Sequence, residues 1–489
     1  MKGRFRLKAG VRLIPGDRGG VVLRDSPFRA LRVNEAAFRF LEQCDHGAEP
    51  QAGSTIEAGP SPDSMPTVCD RLCQAGILEW EPASCIDHPF VSIVVAVHNR
   101  ADAIRECLES LGALDYAPAC REIIVVDDGS DDDTPDVVRG FDVMLVELER
   151  NTGQSAARNA GVAKAKGEII AFVDSDCIAD PAWLRDLVPY FQDAGTALVG
   201  GYVGSYYTAG LLDRYEEAKS PLCMGRKMVI GYGAESDFYV PTCNMLVRRD
   251  AFLRVCGFNE GRRVGEDVDL CWRLKEHGFR LRYVPKGSVK HKHRNEFRQM
   301  FRRRFDYGTS EAVLHATHTN AAKRFPWNPI SMAILAVCVV GLLTTQALVP
   351  ALVPAMVLWD AAAKRRRYAE KIRISPDFLS VCKATLLTHF RLVYFLTYHV
   401  VRYYLLPVLI FAAVWTPLIP VVAGAILFTS FVEFREKRPR LHYMAFLPLF
   451  LMEQASYQVG AFWGSVRQRN FCNYRLTWVT LQRERRVGR

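Results

Sequence analysis

The stretch GEIIAFVDSD, residues 167–176, decides the fold because an apolar run ends directly in two carboxylates. A continuous run of Ile, Ala, Phe and Val predicts a strand that is buried on both faces, as in a parallel sheet. Asp174 and Asp176 follow this strand one residue apart, where their like charges repel each other. A divalent cation would offset that repulsion and bridge the phosphates of a nucleotide, although an isolated pair is also common in solvated turns.

Apolar strand patterns alternate with amphipathic helices on the N-terminal side of this stretch. The strand patterns are VSIVVAV (91–97), REIIVVD (121–127) and DVMLVEL (142–148), and each is followed by a helical pattern. Short Val- and Ile-rich strands that alternate with helices predict an α/β fold with a mostly parallel sheet covered on both faces. Ligands of such sheets bind beyond the carboxyl ends of the strands.

Polar residues follow two of these strands at that edge. Asn99 lies just after the first strand, and Asp127 and Asp128 end the second. A carboxylate there can bind a ribose hydroxyl or a base N–H, and Gly129 lets the chain turn close to a ligand. Turns and helix N-caps are the alternative use of the same residues.

Two further segments carry charged residues suited to binding a phosphate and to accepting a proton. NTGQSAARNAG (151–161) places Arg158 in a helix, where a guanidinium can bind a phosphate through two hydrogen bonds. GEDVDL (265–270) begins a helix with Asp267 in its first turn, and the N-terminal helix field favours the ionised carboxylate. An ionised Asp can accept a proton, whereas simple stabilisation of the helix N-terminus is the alternative.

In order and spacing, these segments resemble the family-two inverting glycosyltransferases, which have a nucleotide-sugar-binding fold of the GT-A type. The resemblance covers roughly residues 89–310 and depends on VSIVVAVHNR, VVDDGSDDDT, NTGQSAARNAG, FVDSD and GEDVDLCWRL. It implies a metal-dependent hexosyltransferase that inverts the configuration of a sugar taken from a uridine diphosphate sugar (UDP-sugar). The presence of every acidic motif argues against a binding protein that has lost its activity.

The same resemblance implies roles for individual residues. The donor-binding residues would be Asn99, Asp127, Asp128, Arg158 and Asp174. Asp174 and Asp176 would hold Mg²⁺ or Mn²⁺ at the diphosphate. Asp267, as the general base, and Glu266 would be the catalytic residues.

Downstream segments add three weaker predictions. PTCNMLVRRDAFLRVCGFNE (241–260) resembles the acceptor-side strand of the family and places Asn244 near the sugar. In KHKHR (290–294), His291 and His293 are candidates for a metal or diphosphate contact, or belong to a solvated strand end. FRQMFRRRFDYG (297–308) resembles the QxxRW motif of processive synthases, but Arg303 replaces the Trp, which argues against long-chain synthesis.

The N-terminal residues 1–85 are predicted to form a small α+β domain of winged-helix type. RLKAGVRLIP, VVLRD, LRVNEAAFRFLEQCDHG and GILEW resemble the peptide-recognition modules related to the chaperone of pyrroloquinoline-quinone synthesis. Such modules bind a peptide as an added strand, so a small precursor peptide is a candidate partner and a purely structural cap is the alternative.

The combination of this module, a family-two domain and a hydrophobic tail resembles the glycosyltransferases of the mycofactocin system. That resemblance implies transfer of β-linked glucose from a UDP-sugar to a peptide-derived redox cofactor precursor. A lipid-linked or polysaccharide acceptor is the alternative, because the tail is hydrophobic and the segment 297–308 resembles a synthase.

The C-terminal residues 325–489 are predicted to be a membrane-associated helical region. Apolar stretches at 329–359 and 403–432 are long enough to cross a bilayer, and 443–464 is interfacial or faces a helix bundle. Pro350 and Pro354 make a re-entrant hairpin possible in the first stretch. The alternative without a membrane is a pair of helices buried in a soluble domain.

The distribution of charge and cysteine narrows the choice of partners and compartment. The net charge is +10, but the first 290 residues are acidic and the remainder carries the basic excess beside apolar runs. This pattern favours membrane lipid over nucleic acid as a partner. The 14 cysteines show no paired CxxC spacing, and Cys69 and Cys73 suit core packing. We therefore predict reduced thiols and a catalytic domain on the cytoplasmic face of the cell membrane.

Overall fold

The structure is a computed structural model in which most of the chain is described. The described residues are 3–16, 19–25, 28–45, 69, 72–73, 75–83, 88–231, 233, 238–293, 295–318, 323–344, 346, 349, 351–372 and 376–479.

The described residues of the N-terminal part include five strands and the helix α1. Its elements are β1 (Gly3–Leu7), β2 (Val11–Gly16), β3 (Gly19–Asp25), β4 (Phe28–Val33), α1 (Glu35–Asp45) and β5 (Leu78–Pro82). Strands β2, β3 and β4 form an antiparallel meander, and β1 pairs antiparallel with β5. Phe5, Leu41 and Trp80 from this part belong to the same buried cluster as Val91 and Ile93 of the following sheet. The α+β prediction therefore holds, and the two parts share one apolar core.

The central part alternates strands and helices as predicted. Its strands are β6 (Val91–Val97), β7 (Arg121–Asp127), β8 (Met144–Glu147), β9 (Ile169–Val173), β10 (Cys177–Ala179), β11 (Thr196–Gly200), β12 (Val203–Ser205), β13 (Val229–Gly231), β14 (Asn244–Arg248), β15 (Arg280–Tyr283) and β16 (Val289–His291). Its helices are α2 (Ala101–Gly112), α3 (Thr134–Arg139), α4 (Gln154–Lys164), α5 (Trp183–Leu187), α6 (Leu211–Lys219), α7 (Arg249–Arg254), α8 (Glu266–Glu276) and α9 (Phe297–Thr317).

One eight-stranded sheet organises this part, in the order β13-β15-β11-β14-β9-β6-β7-β8. Strands β9, β6, β7 and β8 are parallel, so their carboxyl ends lie at one edge. Strand β14 pairs antiparallel with both β9 and β11, which makes the other half mixed. The predicted α/β class is confirmed. A small second sheet, β10-β16-β12, places His291 beside Cys177.

The C-terminal part is helical, with one short pair of parallel strands. Its elements are β17 (Arg324–Pro326), α10 (Pro329–Thr344), α11 (Leu352–Ile372), α12 (Phe378–Tyr403), α13 (Leu405–Val414), α14 (Ile419–Lys437), α15 (Tyr443–Gln468) and β18 (Thr477–Val479). The predicted apolar stretch 329–359 is not one helix, because α10 ends at Thr344 and α11 begins at Leu352. The stretch 403–432 is likewise divided between α13 and α14.

Two helical segments of the described chain are long and apolar enough to cross a membrane. They are Phe378–Tyr403 and Thr416–Lys437, with mean hydropathies of 1.2 and 1.8 in their most apolar windows. Phe378–Tyr403 was not predicted as a membrane span, because its His, Arg and Lys residues lower the mean hydropathy of the segment. Helix α15 instead faces the bundle, since its Glu453 and Gln458 are buried.

Helix α9 crosses α15 at very short range, and this contact fixes the C-terminal part against the central part. A Cβ atom added at Gly308, Gly460 or Gly464 would lie closer than 3.0 Å to backbone atoms of the opposite helix. Glycines let two helix backbones approach in this way. Arg304 of α9 forms a buried ion pair with Glu453 of α15, at an N–O distance of 3.7 Å, and a second with Glu216 of α6 at 2.7 Å.

Candidate active site

Two adjoining cavities lie beyond the carboxyl ends of the parallel strands. The larger, about 730 Å³, is lined by Asp128, Asp176 and His291 among others, and we call it the donor-side cavity. The smaller, about 440 Å³, is lined by Asp267 together with residues of the C-terminal helices, and we call it the acceptor-side cavity. Both are lined by Gln154, Arg158, Asp174, Pro221, Leu222, Arg303, Arg304 and Tyr307.

Asp128 orders the loop that begins helix α4. Its carboxylate accepts hydrogen bonds from the backbone N–H groups of Thr152 (2.7 Å) and Gly153 (2.8 Å) and from the Thr152 hydroxyl (2.8 Å). Gly153 has φ of 97°, a conformation that side chains other than hydrogen rarely permit. This turn places the start of α4, and with it Gln154 and Arg158, at the cavity wall.

Asp174 and Asp176 both line the donor-side cavity but have different partners. Asp176 accepts from Arg100 at 3.0 Å and lies 3.4 Å from Nε2 of His291. Asp174 is paired with Arg158 at 2.7 Å. The two carboxylates thus share the cavity and are each balanced by a cation.

The side chains around Asp176 suit a divalent cation. One ligand atom each of Asp176, Cys177 and His291 lies within 4.8 Å of the others. Burial raises the pKa of the Cys177 thiol well above its ordinary value, so the thiol is a poor ligand for hard Mg²⁺ or Mn²⁺. The buried Nδ1 of His291 has no hydrogen-bond partner among the described residues, so the imidazole retains unused binding capacity.

Four residues that were predicted to be site residues have side chains that are hydrogen-bonded to other parts of the protein. Asp127 is buried and accepts from both the N–H and the hydroxyl of Ser130. Asn99, at φ of 52°, accepts from the backbone N–H of Asp131. His293 lines the donor-side cavity, but its ring nitrogens contact Ser205 (2.6 Å) and Asp213 (3.2 Å).

Asn244 is the fourth of these residues. It is fully buried, donates to the carbonyl groups of Tyr202 and Gly287 at 2.9 Å, and accepts from the indole N–H of Trp183 at 2.8 Å. It lines neither of the two cavities. Its contacts join β14 to the loops after β11 and β15.

Arg158 lies at the boundary between the cavities and is only 4% exposed. One guanidinium nitrogen donates to Asp174 at 2.7 Å and another to Glu266 at 3.1 Å. Gln154, one turn earlier on α4, also donates to Glu266, at 2.6 Å. Arg158 therefore connects the strand end of β9 to the first turn of α8.

Asp267 is the carboxylate that faces the acceptor-side cavity. Its one hydrogen bond within the described residues is to the N–H of Val268, at 2.8 Å. Burial, followed by repulsion from Glu266, raises the pKa of Asp267 to about 7, against opposing effects of Arg158 and Arg303. A carboxylate that titrates near neutral pH is well suited to general base catalysis.

Asp269, two residues later, has a different environment. It is buried and contacts Arg262 (3.1 Å), Arg273 (2.7 Å) and His318 (3.0 Å). These cations hold the pKa of Asp269 below its ordinary value, chiefly through the His318 hydrogen bond, and outweigh the effect of burial. Asp269 anchors helix α8, and Asp267 is left to face the cavity.

The far wall of the acceptor-side cavity comes from the C-terminal part. Glu311 of α9 pairs with Lys323 at 2.7 Å and accepts from the hydroxyl of Tyr457 at 2.8 Å. The Arg402 guanidinium lies over the Tyr457 ring, 3.3 Å from its centroid. Arg402 and Tyr457 lie 85 and 140 residues beyond Thr317, where the central part ends, so no local motif could have identified them.

Arg303 and Arg100 were missed as site residues for different reasons. Arg303 lines both cavities and its guanidinium stacks on Tyr307 at 4.8 Å, but the sequence only marked it as a departure from the QxxRW motif. Arg100 directly follows Asn99 in VSIVVAVHNR, and its position beside Asp176 depends on the pairing of β6 with β9. For Arg100, the signal in the sequence was a basic residue just beyond the end of a predicted strand.

The central part is similar in sequence to known glycosyltransferases. Residues 92–255 match the family model described as glycosyl transferase family 2. The "Pre-mycofactocin glycosyltransferase" of Mycobacterium tuberculosis is 34% identical over 304 residues, which cover 61% of this chain and 61% of that protein. Glycosyltransferase AglE of Haloferax volcanii is 31% identical over 203 residues, which cover 40% of this chain and 64% of that protein.

Solved structures give more distant similarities. A mannosyltransferase from Pyrobaculum calidifontis, in complex with GDP-Man and Mn²⁺, is 19% identical at a TM-score of 0.40, over 63% of this chain and 89% of that one. TarS of S. aureus is 21% identical at a TM-score of 0.35, over 45% of this chain and 39% of that one. At these identities and TM-scores, the ligands of the two structures carry no assignment for this chain.

The sequence match and the geometry agree on the same segment. The matched residues contain nearly all of β6, together with β7, β9, the Asp128 turn and helix α4, which supply part of the lining of the donor-side cavity. His291 and Arg303, which also line it, lie outside the match. Residues 92–255, which contain Asp128, Arg158, Asp174 and Asp176, are therefore similar in sequence to glycosyl transferase family 2.

Proposed function

We propose that this chain is a membrane-associated inverting glycosyltransferase, with a UDP-sugar in the donor-side cavity and the acceptor in the acceptor-side cavity. The observation that supports this most is the position of Asp267. The ion pairs of Arg158 with Glu266 and with Asp174 connect the segment that contains Asp267 to Asp174. Asp267 lines the acceptor-side cavity and has a pKa raised to about 7, whereas Asp176 lines the donor-side cavity. An acceptor hydroxyl beside Asp267 would face the donor sugar across the shared wall.

The proposed transfer is a single displacement. Asp267 accepts the proton of the acceptor hydroxyl while the acceptor oxygen bonds to the anomeric carbon. The bond between that carbon and the diphosphate oxygen breaks on the opposite face, so the configuration inverts. The diphosphate takes the electron pair and departs on the donor side, where Arg158 and Arg303 lie at the cavity wall and favour negative charge.

A divalent cation fits the donor side of this proposal. Asp174, Asp176 and His291 would hold Mg²⁺ or Mn²⁺, because oxygen and imidazole ligands line the cavity together there. When bound, the cation would supply positive charge to the leaving diphosphate.

The proposed acceptor is a peptide-derived redox cofactor precursor of the mycofactocin type, and the proposed sugar is a β-linked glucose. The name and 34% identity of the mycobacterial relative support this choice, as does the N-terminal α+β part, for which a precursor peptide is the proposed partner. The chain spans 61% of that relative, so the substrates are proposals for this chain.

A lipid-linked or polysaccharide acceptor is the second candidate. Exposed apolar side chains on the C-terminal helices favour it, among them Leu379, Phe395, Ile410, Val414 and Trp463. The proposed membrane association depends on the same surface, since only 22% of each candidate span is buried. We propose that the catalytic domain lies on the cytoplasmic face, because a UDP-sugar is used there.

The test incubates the purified chain with UDP-glucose, UDP-galactose or GDP-mannose and Mn²⁺ or Mg²⁺, and follows the released nucleoside diphosphate. Release that increases with a peptide-derived acceptor supports the first candidate, and release that increases with a polyprenyl phosphate acceptor supports the second. Absence of release with every donor and acceptor would contradict glycosyl transfer.

A further inference from the structure

A third cavity lies between the N-terminal part and the central sheet, away from both catalytic cavities. Its volume is about 530 Å³, and its lining shares no residue with the other two. Lys8, Arg24 and residues 78–81 line it from the N-terminal part, and residues 226–230 and 284–286 line it from the central part. We call it the inter-module cavity.

The side chains that line the inter-module cavity are predominantly basic, although the first 290 residues carry a net negative charge. Five cationic and two acidic residues line it, namely Lys8, Arg24, Arg226, Lys227, Lys286, Glu79 and Glu81. All of these cations except Arg24 form no ion pair within 4.0 Å with a described residue. Glu81 is balanced by Arg6, at 3.8 Å. The cavity therefore favours an anionic ligand.

Trp80 supplies a buried hydrogen-bond donor to the inter-module cavity. Its side chain is 2% exposed and lines the cavity, and its indole N–H has no hydrogen-bond partner among the described residues. A buried donor without a partner destabilises the folded state. An acceptor oxygen of a ligand in the cavity would satisfy this donor.

Arg282 adds positive charge behind Trp80. Its guanidinium is 1% exposed and stacks on the indole, 4.8 Å from the ring centroid. One of its terminal nitrogens, Nη1, has no hydrogen-bond partner in the described part of the chain. Asp193 contacts Arg282 at 2.8 Å, but it also contacts Arg280 at 2.5 Å. Arg282 therefore has no carboxylate of its own, and its charge adds to the attraction of an anion to the Trp80 side of the cavity.

The donors and the size of the inter-module cavity favour an organic phosphate. The cations reach the cavity from separate segments of the chain, and a phosphate offers them three strong acceptor oxygens and a charge of about −2. Met228, Ile230 and Val284 add an apolar wall. A volume of about 530 Å³ lies within the range of about 300–1,000 Å³ that small-molecule sites occupy. A bare phosphate would leave that wall uncovered.

We propose that the inter-module cavity binds a soluble phosphorylated small molecule. Its phosphate lies against Lys227 and Lys286, one of its oxygens accepts from the indole N–H of Trp80, and its organic part covers the apolar wall. A soluble compound is favoured over a lipid headgroup because no described residue after Lys286 lines the cavity. The exposed apolar surface of the chain belongs to the C-terminal helices.

The test titrates inorganic pyrophosphate into the full chain in detergent and follows the heat of binding. The buffer contains EDTA and no sugar donor, so that a metal-dependent diphosphate site on the donor side stays empty. We expect one pyrophosphate per chain, with a Kd that rises at least about fivefold between about 0.05 M and 0.3 M NaCl. Dihexanoyl phosphatidic acid below its micelle concentration, as the lipid probe, should bind more weakly than pyrophosphate.

Charge reversal locates the site. The double variant Lys227→Glu with Lys286→Glu should raise the Kd for pyrophosphate about tenfold or more. Both lysines are exposed, so the melting temperature of this variant should match that of the unmodified chain. The control is Lys164→Glu with Lys166→Glu, which makes the same charge change on exposed residues outside this cavity and should leave the Kd unchanged.

Removal of the indole N–H tests the buried donor. Trp80→Phe keeps an aromatic ring but cannot donate, so the Kd for pyrophosphate should rise about fivefold. Trp359→Phe, at a side chain that is 66% exposed on helix α11, is the matched control and should leave the Kd unchanged.

Four results would overturn the proposal. These are absence of pyrophosphate binding, unchanged affinity in the double lysine variant, unchanged affinity in Trp80→Phe, and tighter binding of dihexanoyl phosphatidic acid than of pyrophosphate, which would assign the cavity to a lipid headgroup. Because the assay contains neither metal nor sugar donor, its failure leaves the proposed glycosyl transfer standing.

Discussion

The donor-side and acceptor-side cavities touch at Arg158 but are built in different ways. The donor-side cavity is formed by strand ends and the Asp128 turn, and its carboxylates Asp174 and Asp176 are each paired with a cation. In the acceptor-side cavity, Asp267 forms no ion pair with a described residue, and burial raises its pKa to about 7. The donor-side cavity thus favours binding of an anionic ligand, and the acceptor-side cavity favours proton transfer. Substitutions should therefore affect donor binding or acceptor chemistry, but seldom both.

Loss of the base should have the largest effect. Asp267→Asn retains the shape of the side chain but cannot accept a proton, so kcat should fall by about 10³-fold or more, while the Kd for UDP is unchanged. Rates of nucleoside diphosphate release and calorimetric titration of UDP measure the two quantities. Asp102→Asn, an exposed change on α2, is the matched control. A variant with normal kcat would remove Asp267 from the mechanism.

Loss of Asp176 should have the next largest effect, and on the opposite cavity. Asp176→Ala removes a proposed cation ligand, so the Kd for UDP in the presence of Mn²⁺ should rise about 10²-fold, with little change in its absence. Asp131→Ala is the control, because Asp131 is exposed near the same strand ends but does not line the cavity. Equal affinity with and without Mn²⁺ in the unmodified chain would contradict the metal role.

The pH dependence of the reaction tests the environment of Asp267 without a substitution. Since burial raises its pKa to about 7, the carboxylate is ionised above that pH and becomes protonated below it. The rate should fall about tenfold between pH 8 and pH 6, while UDP binding varies less. A rate that is constant over this range would show that no group with a pKa near 7 limits the reaction.

The smallest predicted effect concerns the wall supplied by the C-terminal helices. Tyr457→Phe removes the hydroxyl that donates to Glu311, so the KM for the acceptor should rise about fivefold while the KM for the donor stays the same. Tyr404→Phe is the control, because Tyr404 lies on the same helical part but lines neither cavity. If the KM for the donor changed more than the KM for the acceptor, the donor would bind in the cavity that is assigned to the acceptor.

The donor-side cavity was largely predictable because its parts are local in the sequence. Asp128, Asp174 and Asp176 each follow a short apolar strand, and parallel strands bring such ends together. Asp127 and Asn99 were less predictable, because a turn residue and a ligand-binding residue have the same short polar side chains.

Apart from Arg158 and Asp174, which line both cavities, the predicted residues of the acceptor-side cavity were Glu266 and Asp267, at the start of α8. Its other wall depends on how α9 packs against α15, and that contact depends on glycines whose role appears only when the two backbones meet. Arg402 and Tyr457 belong to apolar helices whose sequence indicates membrane contact more strongly than a polar site. Long-range packing of this kind leaves no periodic signal in one sequence.

The most direct test of the division between the cavities is the structure of Asp267→Asn with a bound UDP-sugar and Mn²⁺, determined by cryo-electron microscopy. We predict the diphosphate and metal beside Asp176 and His291, with the anomeric carbon directed toward residue 267 across Arg158. A nucleotide bound in the cavity lined by Tyr457 and Arg402 would contradict the account.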